Sequence, residues 1–188
     1  MLSGVKLLEF RRGLVKKINF RKALSGKMFK CTVDLGCGKG GFYASVVKNH
    51  TKRFLGVDIS KESLLLAEKA GYYDELIHSD LVNFATNMKD LDTDSVFMIH
   101  SIEHIDNKQV RKLLDATSDI PFMVVITPSK MYGKKFEAQL LKNPYQEHRS
   151  LVTPDLLHGY GFKVYAMNNM HWSTVYGFEL LGVRDNHH

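Results

Sequence analysis

The sequence predicts a single doubly wound α/β domain, and three observations support this prediction. The chain has 188 residues, a length that fits one domain around one core. Hydrophobic residues make up 44% of the chain and charged residues 24%, which is the balance of a globular rather than a disordered protein. After Lys30, short apolar runs alternate with helical stretches of roughly a dozen residues, as in the βαβ units of a parallel sheet.

This alternation predicts five parallel strands connected by helices. The strands are expected at 32–35, 54–58, 75–78, 96–100 and 122–127. The helices between them are expected at 41–49, 61–70, 81–88 and 107–116. Ser60 and Asp106 stand directly before two of these helices, where N-cap residues belong.

The C-terminal part of the chain has a different pattern. Pro154 opens a short predicted helix that Gly159 and Gly161 end. Apolar runs follow at 162–167 and 176–183, and the connection between them leaves no room for a crossover helix. We therefore expect the last two strands to form an antiparallel hairpin.

The net charge of the chain comes from its N-terminal segment. Residues 1–30 contain nine Lys or Arg residues and one acidic residue, Glu9, whereas the whole chain has a net charge of +6. Apolar residues recur there at helical spacing between the basic ones. We expect residues 1–30 to form a basic amphipathic helix that packs on or caps a domain of residues 31–188. It is either an arm for nucleic acid or an acidic protein partner, or a solvated helix at the pocket edge, and the second interpretation is favoured.

Composition also indicates where the chain resides. The sequence has no apolar run of about 20 residues that could span a bilayer and no secretory signal pattern, so we expect a cytoplasmic location without a membrane partner. Cys31 and Cys37 lie on a predicted strand and its exit loop, where an extended backbone keeps them apart. Both are expected to be reduced thiols.

The loop after the first strand carries the strongest local signal. Gly36, Gly38, Gly40 and Gly41 follow the apolar strand and precede a helix, and such a turn needs positive φ angles and a backbone without side chains against a nucleotide. The glycines satisfy two spacings, GxGxxG for dinucleotides and an acidic residue followed by GxGxG. Asp34 favours the second, because its carboxylate would repel a pyrophosphate but attract an ammonium group and a sulfonium.

The residues Asp34 to Gly40, DLGCGKG, resemble the first motif of the class I S-adenosylmethionine-dependent methyltransferases. The resemblance covers roughly residues 32–184 and implies a Rossmann-like sheet of seven mostly parallel strands with one strand reversed. It also implies S-adenosylmethionine (SAM) as the methyl donor, S-adenosylhomocysteine (SAH) as the product, and contacts from Cys37 and the loop glycines to the donor. An NAD-dependent oxidoreductase or a nucleotide-binding module is the remote alternative.

Further residues fall where such a donor would lie. Asp58 ends the second strand, where a carboxylate can accept both ribose hydroxyls, and Ile59 follows it. By resemblance Asp80 or Leu81 lies beside the adenine, although Asp80 is equally suited to cap the next helix. His100, at the end of the fourth strand, completes the predicted cofactor residues.

The acceptor side is expected beyond the fourth strand. Glu103 and His104 are the candidate catalytic residues, because either could contact the acceptor or take its proton; alternatively, both only order the loop. His100, Glu103 and His104 also spell HxxEH, the inverted zinc-protease motif. That motif needs a helix through His100, where we expect a strand, so the sequence predicts no metal site.

The segment 131–151 is long for a connection and is a candidate substrate lid. Tyr132, Tyr145, His148 and Arg149 are its predicted substrate contacts, although a surface helix and turn would have the same composition. Arg149 could hold a carboxylate or a phosphate. The sequence therefore favours a small-molecule acceptor, and a nucleic acid or protein engaged by the basic N-terminal segment is the alternative.

Overall fold

One sheet of seven strands organises the part of the chain that the computed structural model describes, residues 19–129, 145, 147–167 and 179–186. The strands are β1 (Phe29–Leu35), β2 (Thr51–Asp58), β3 (Glu75–His78), β4 (Ser95–Ile99), β5 (Phe122–Pro128), β6 (Lys163–Met167) and β7 (Glu179–Asp185). Their order across the sheet is β3-β2-β1-β4-β5-β7-β6.

The strand order reverses at β1. Val33 pairs with Leu55 of β2 on one side and with Val96 of β4 on the other, both in parallel register. Because ligands of doubly wound sheets gather beyond the carboxyl ends of the strands at such a reversal, this register places a site after β1. β7 runs antiparallel to both β5 and β6, so the predicted mostly parallel sheet with one reversed strand is confirmed.

Six α-helices occur in the described residues. They are α1 (Phe20–Ala23), α2 (Phe42–Val47), α3 (Lys61–Ala70), α4 (Leu81–Asn87), α5 (Asn107–Ala116) and α6 (Pro154–Gly159). The bounds of α3 and α5 are those predicted. Ser60 and Asp106 cap these two helices by accepting a hydrogen bond from the backbone of Ser63 and Gln109, and the Gln109 side chain completes a capping box at α5.

The predicted bounds of β4, β5, β6 and α4 are wrong by one residue, and β7 ends two residues later than predicted. The differences in β1, β2 and α2 have clearer causes. β1 and β2 each begin three residues earlier than expected, and the Asp94 carboxylate accepts hydrogen bonds from the backbone of Lys30 and Cys31 at the start of β1. The first residues of these strands include exposed charged side chains such as Lys52, so they do not form part of an apolar run. The predicted helix 41–49 ends at Val47 and continues as a 3-10 turn.

The sheet is covered on both faces by buried side chains. One layer contains Val33, Leu35 and Val96 packed with residues of α4 and α5, and the other contains the aromatic rings of Phe54 and Phe97. This alternation along β1 and β4 is what a sheet buried on both faces requires.

Of the predicted helix 1–30, only α1 (Phe20–Ala23) is α-helical in the described residues, and β1 begins at Phe29, so the helix does not extend to residue 30 as predicted. The residues around α1 pack into the second layer. Phe20 is 4% exposed and Leu24 is fully buried, and the Phe20 ring packs edge-on against Tyr43 with centroids 5.0 Å apart. Residues 1–18 of that predicted helix lie outside the described ranges. The connection at 168–174 and the start of the predicted last strand at 176 also lie outside them.

Two expectations from composition concern the membrane and the cysteines. Among the helices of the described ranges, none has the length and apolar character needed to cross a bilayer. Cys31 and Cys37 are both free thiols and buried, as expected.

Replacing Asp106 with Ala removes the capping box of α5, so we expect the free energy of unfolding to fall by about 1 kcal/mol. Chemical denaturation measures the change. Lys108→Ala, on the exposed side of the same helix, is the matched control and should stay within about 0.5 kcal/mol of the parent. Equal stabilities of the two variants would contradict the cap.

Candidate active site

A cavity of about 560 Å³ opens at the carboxyl ends of β1, β2 and β4. Nine predicted cofactor residues line it, namely Asp34, Gly36, Cys37, Gly38, Asp58, Ile59, Asp80, Leu81 and His100. Gly40, the tenth predicted cofactor residue, does not line the cavity and packs instead against Tyr73 and α3. The sequence pattern and the tertiary structure thus identify the same end of the sheet.

The glycine loop is held against the end of β2. Gly36 and Cys37 donate backbone hydrogen bonds to the carbonyl of Val57, at 2.8 and 3.0 Å. The Asp58 carboxylate accepts one bond from the backbone of Gly38 and another from Ser60, both at 2.8 Å. Asp58 therefore fixes the loop as well as facing the cavity.

Gly36 also lies against the residues after β4. Its φ angle is 82°, and a Cβ atom at this position would lie 2.3 Å from the Cβ of Ser101. The Ser101 hydroxyl donates a hydrogen bond of 2.6 Å to the carbonyl of Leu35. A glycine is required here by close approach as well as by backbone conformation.

Asp34 is a buried carboxylate at the edge of the cavity, 5% exposed. Its Oδ2 accepts a hydrogen bond of 2.7 Å from the hydroxyl of Tyr73, whereas its Oδ1 has no hydrogen-bond partner among the residues that the structure describes. Burial raises the pKa of Asp34 to about 7, with the Tyr73 hydroxyl opposing the rise and Asp58 adding to it.

Sequence reasoning missed Tyr73. It lies between α3 and β3, where an aromatic residue after Gly71 carries no pattern of a binding site. Its ring packs closely enough that a Cβ atom on Gly56 would lie 2.9 Å from it. Only the tertiary contact with Asp34 identifies Tyr73 as a site residue.

The residues after β2 and β3 form one wall of the cavity. The His78 ring bonds through Nε2 to the carbonyl of Ile59 at 2.9 Å. Asp80 accepts a hydrogen bond from the backbone of Asn83 at 2.8 Å and so caps α4. Asp80 both caps the helix and faces the cavity, so the two interpretations given for this residue are compatible.

His100 joins two buried carboxylates. Its Nδ1 lies 3.5 Å from Glu103 Oε1, and its Nε2 lies 3.1 Å from Glu179 Oε1. Although burial by itself would lower it, these two carboxylates raise the pKa of His100 to about 10. The φ angle of His100 is 52°, an uncommon conformation for a residue with a side chain. Glu179, which sequence reasoning missed, reaches the site because β7 pairs with β5.

The end of the cavity where the sequence predicts the acceptor is built around a 3-10 turn, Ile102–His104. His104 lines the cavity, whereas Glu103 lies beneath it at 2% exposure. Burial by itself would raise the pKa of Glu103, but the neighbouring His100 and His104 lower it below its ordinary value. The backbone of Arg149 and of Ser150 donates to the Glu103 carbonyl, at 2.8 and 3.1 Å.

The predicted substrate contacts are divided between the cavity and the protein interior. Tyr145 and Arg149 line the cavity. His148 is 8% exposed, and its ring contacts the ring of His104 in a tilted arrangement, with centroids 5.1 Å apart. Tyr132 and most of the predicted lid lie outside the described residues.

Three of these side chains could hold a metal ion. Glu103, His104 and His148 each offer one ligand atom, and the three atoms lie within 4.8 Å of one another. This set differs from the HxxEH motif, because it contains His148 in place of His100, which follows β4 and does not lie on a helix. His148 was not part of that motif.

Comparison with known proteins agrees with this geometry. The family described as methyltransferase domain matches residues 33–120, from within β1 to the residues just before β5. This match supports the resemblance of the chain to the class I S-adenosylmethionine-dependent methyltransferases. These similarities support an enzyme that uses SAM as its cofactor, and the NAD-dependent alternative is set aside.

Solved structures share the methyltransferase fold at low identity. A DhpI complex with SAH has a TM-score of 0.62 at 14% identity, with coverage of 89% of this chain and 82% of that one. A SAM-dependent methyltransferase from Archaeoglobus fulgidus has a TM-score of 0.60 at 16% identity, with coverage of 96% and 93%. The small RNA methyltransferase HEN1 has a TM-score of 0.56 at 16% identity, with coverage of 89% of this chain and 24% of that one. No curated protein matches the sequence.

The raised pKa of Asp34 predicts that SAH binding depends on pH. The ionised carboxylate attracts the ammonium group of the ligand, and protonation below pH 7 removes that charge. We expect the affinity for SAH to fall about tenfold from pH 7.5 to pH 6, a range below the pKa of an α-amino group. Isothermal titration calorimetry measures it.

Two variants test the cause of this pH dependence. Asp34→Asn should bind SAH weakly with little change over the range. Tyr73→Phe loses the hydrogen bond that opposes the raised pKa of Asp34. The pKa of Asp34 should therefore rise further, so the loss of SAH affinity on acidification should begin at a higher pH than in the parent. The neighbouring Tyr72→Phe should match the parent. A parent profile that is flat with pH would contradict this role for Asp34.

Proposed function

We propose that the enzyme transfers the methyl group of SAM to a small-molecule acceptor. The observation that carries the proposal is the continuity of the cavity, whose lining runs from the glycine loop to Tyr145, His104 and Arg149. Its volume of about 560 Å³ is in the range of small-molecule sites, roughly 300 to 1,000 Å³. A single concave site can hold a donor and a small acceptor side by side.

The donor end has the charges and open backbone that SAM requires. Asp34 Oδ1 is a buried acceptor without a hydrogen-bond partner in the described ranges, and an ammonium group of the donor would provide one. The oxygens of Asp58 each accept one backbone bond and retain lone pairs for the ribose hydroxyls. Asp80 and Leu81 form the wall against which we place the adenine.

The acceptor end of the cavity would align the acceptor atom with the methyl group of the donor. Methyl transfer is an in-line displacement in which the acceptor atom forms a bond to the methyl carbon as the carbon–sulfur bond breaks. Because the sulfonium already activates the carbon, most of the rate can come from positioning and from exclusion of water. We place His104 at the acceptor, where its Nδ1 bonds to the carbonyl of Glu147 at 3.2 Å, with the buried Glu103 beside it in the chain.

Arg149 favours an acidic acceptor. Its guanidinium lines the cavity, and its Nε lies 3.4 Å from Glu147 Oε2. A guanidinium carries five N–H donors, so an anionic group of the acceptor can share it with Glu147. A carboxylate or phosphate on the acceptor would fit this position.

A macromolecular acceptor is the second candidate, and one specific observation favours it. Nine of the first 30 residues are basic, and Arg21 and Lys22 at the described end of this segment are exposed. A basic segment of this composition would bind RNA or DNA through phosphates, with strong salt dependence. The small RNA methyltransferase HEN1 shares the fold.

Donor binding should depend on Asp58 far more than on His104. Asp58→Ala removes the ribose acceptors and the two bonds that hold the loop, so we expect SAH affinity to fall at least about tenfold. His104→Ala should stay within about twofold, because His104 lies at the acceptor end. Calorimetry with SAH measures both, and NAD should leave the melting temperature of the parent unchanged. Affinities equal to that of the parent in both variants would contradict the donor site.

The two acceptor classes can be separated with methyl-labelled SAM and a cell extract. We expect label in the low-molecular-weight fraction, equally for the full chain and for a chain without residues 1–18, which retains the core residues Phe20 and Leu24. Scintillation counting after size separation measures it. Label in RNA or protein that disappears with this truncation would support the macromolecular acceptor instead.

A further inference from the structure

We propose that Glu103, His104 and His148 bind a divalent transition-metal ion at the acceptor end of the cavity. The inference rests on the proposed function and specifies how this end of the site acts on its acceptor. Glu103 and His104 follow β4, and His148 belongs to a segment far along the chain. Their ligand atoms lie within 4.8 Å of one another, so small side-chain adjustments would bring all three to one ion.

The Glu103 carboxylate is the first independent sign of a bound cation. Glu103 is 2% exposed, and in the described part of the chain neither of its oxygens has a hydrogen-bond partner. His100 Nδ1 lies 3.5 Å from Glu103 Oε1, and His100 is shared with Glu179 through its Nε2. This ion pair offsets part of the cost of burying the Glu103 charge, and the lone pairs that accept no hydrogen bond remain available to a metal ion.

The backbone around the cluster is the second sign. The Arg149 and Ser150 amides bond to the Glu103 carbonyl, and the Ser150 hydroxyl donates to the carbonyl of Ile102 at 3.3 Å. These bonds fasten the residues directly after His148 to the 3-10 turn that carries Glu103 and His104. The three side chains are therefore held together by the fold.

The tautomer of His104 is the third sign. Its Nδ1 lies 3.2 Å from the carbonyl of Glu147, and a carbonyl can only accept, so Nδ1 carries the proton. Nε2 is then the nitrogen with a free lone pair. A ligating histidine whose other nitrogen donates to a backbone carbonyl is the usual arrangement in metal sites.

The ligand types define the class of ion. Two imidazoles and one carboxylate suit zinc, iron, cobalt, nickel or manganese, whereas magnesium and calcium prefer sites made wholly of oxygen. Three protein ligands also leave coordination positions open. Because His104 borders the cavity, an open position would face the acceptor.

The ion would act on a hydroxyl acceptor. Coordination lowers the pKa of the hydroxyl, and its proton passes to solvent through the cavity mouth. The oxygen then forms a bond to the methyl carbon as the carbon–sulfur bond breaks, and the electron pair of that bond stays on sulfur, which becomes the neutral thioether of SAH. His104 and Glu103 are metal ligands in this scheme and take no proton.

Cobalt(II) binding to the full chain, freed of metal with a chelator, tests the site. We expect one equivalent to bind and to give visible absorption bands of a nitrogen- and oxygen-ligated ion. Glu103→Gln, His104→Ala and His148→Ala should each weaken binding at least about tenfold. His158→Ala, which changes an exposed histidine on α6, is the matched control and should bind like the parent. Unchanged binding in His148→Ala, or no binding by the parent, would overturn the proposal.

SAH affinity, measured on the same samples, separates this inference from the proposed function. Variants that lose cobalt but keep SAH affinity are folded, and their loss of cobalt supports the site. A variant that also loses SAH is judged by the conservative change His148→Asn, which should again lose only cobalt. A parent that binds SAH but not cobalt refutes the metal alone, whereas a parent that binds cobalt but not SAH refutes the donor site.

The open coordination position has its own readout. 4-Nitrocatechol, a chelating diol, changes its absorption when both oxygens bind a metal ion. We expect this spectral change with the cobalt-loaded parent and with His158→Ala, and its loss in His148→Ala. Absence of the change in the loaded parent would show that the ion has no position open to an acceptor.

Discussion

The donor site depends on how closely the loop after β1 approaches the ends of its two neighbouring strands. Gly36 lies so near Ser101 that a Cβ atom would collide at 2.3 Å, and Asp58 holds the other side of the loop through Gly38. The reversal of strand order at β1 brings these two neighbours together. A rigid, side-chain-free loop between two strand ends leaves the cavity room for a ligand that lies across it.

Buried charge distinguishes the two ends of this cavity. At the donor end, Asp34 is a carboxylate whose pKa burial has raised to about 7, so a positively charged ligand stabilises its ionised form. At the acceptor end, Glu103 and Glu179 flank His100, whose pKa lies near 10. The donor end suits a cationic methyl donor. At the acceptor end, His100, Glu103 and Glu179 form a network of ion pairs next to the residues that we assign to the acceptor.

Much of the fold could be predicted because its signals are local. The bounds of α3 and α5 follow from helical periodicity and from the caps Ser60 and Asp106, and the positions of the parallel strands follow from apolar runs. The early starts of β1 and β2 could not be predicted, since charged residues occupy them and the Asp94 carboxylate that binds the start of β1 is distant in sequence.

The sequence by itself determined the class of fold, the donor loop and the carboxylates that end the strands, since each depends on residues adjacent in the chain. Only the tertiary structure brought Tyr73 to Asp34, Glu179 to His100, and His148 to Glu103 and His104. Each of these contacts joins segments that are distant in sequence. Strand pairing and backbone hydrogen bonds between loops create them, and neither leaves a periodic pattern in the residues concerned.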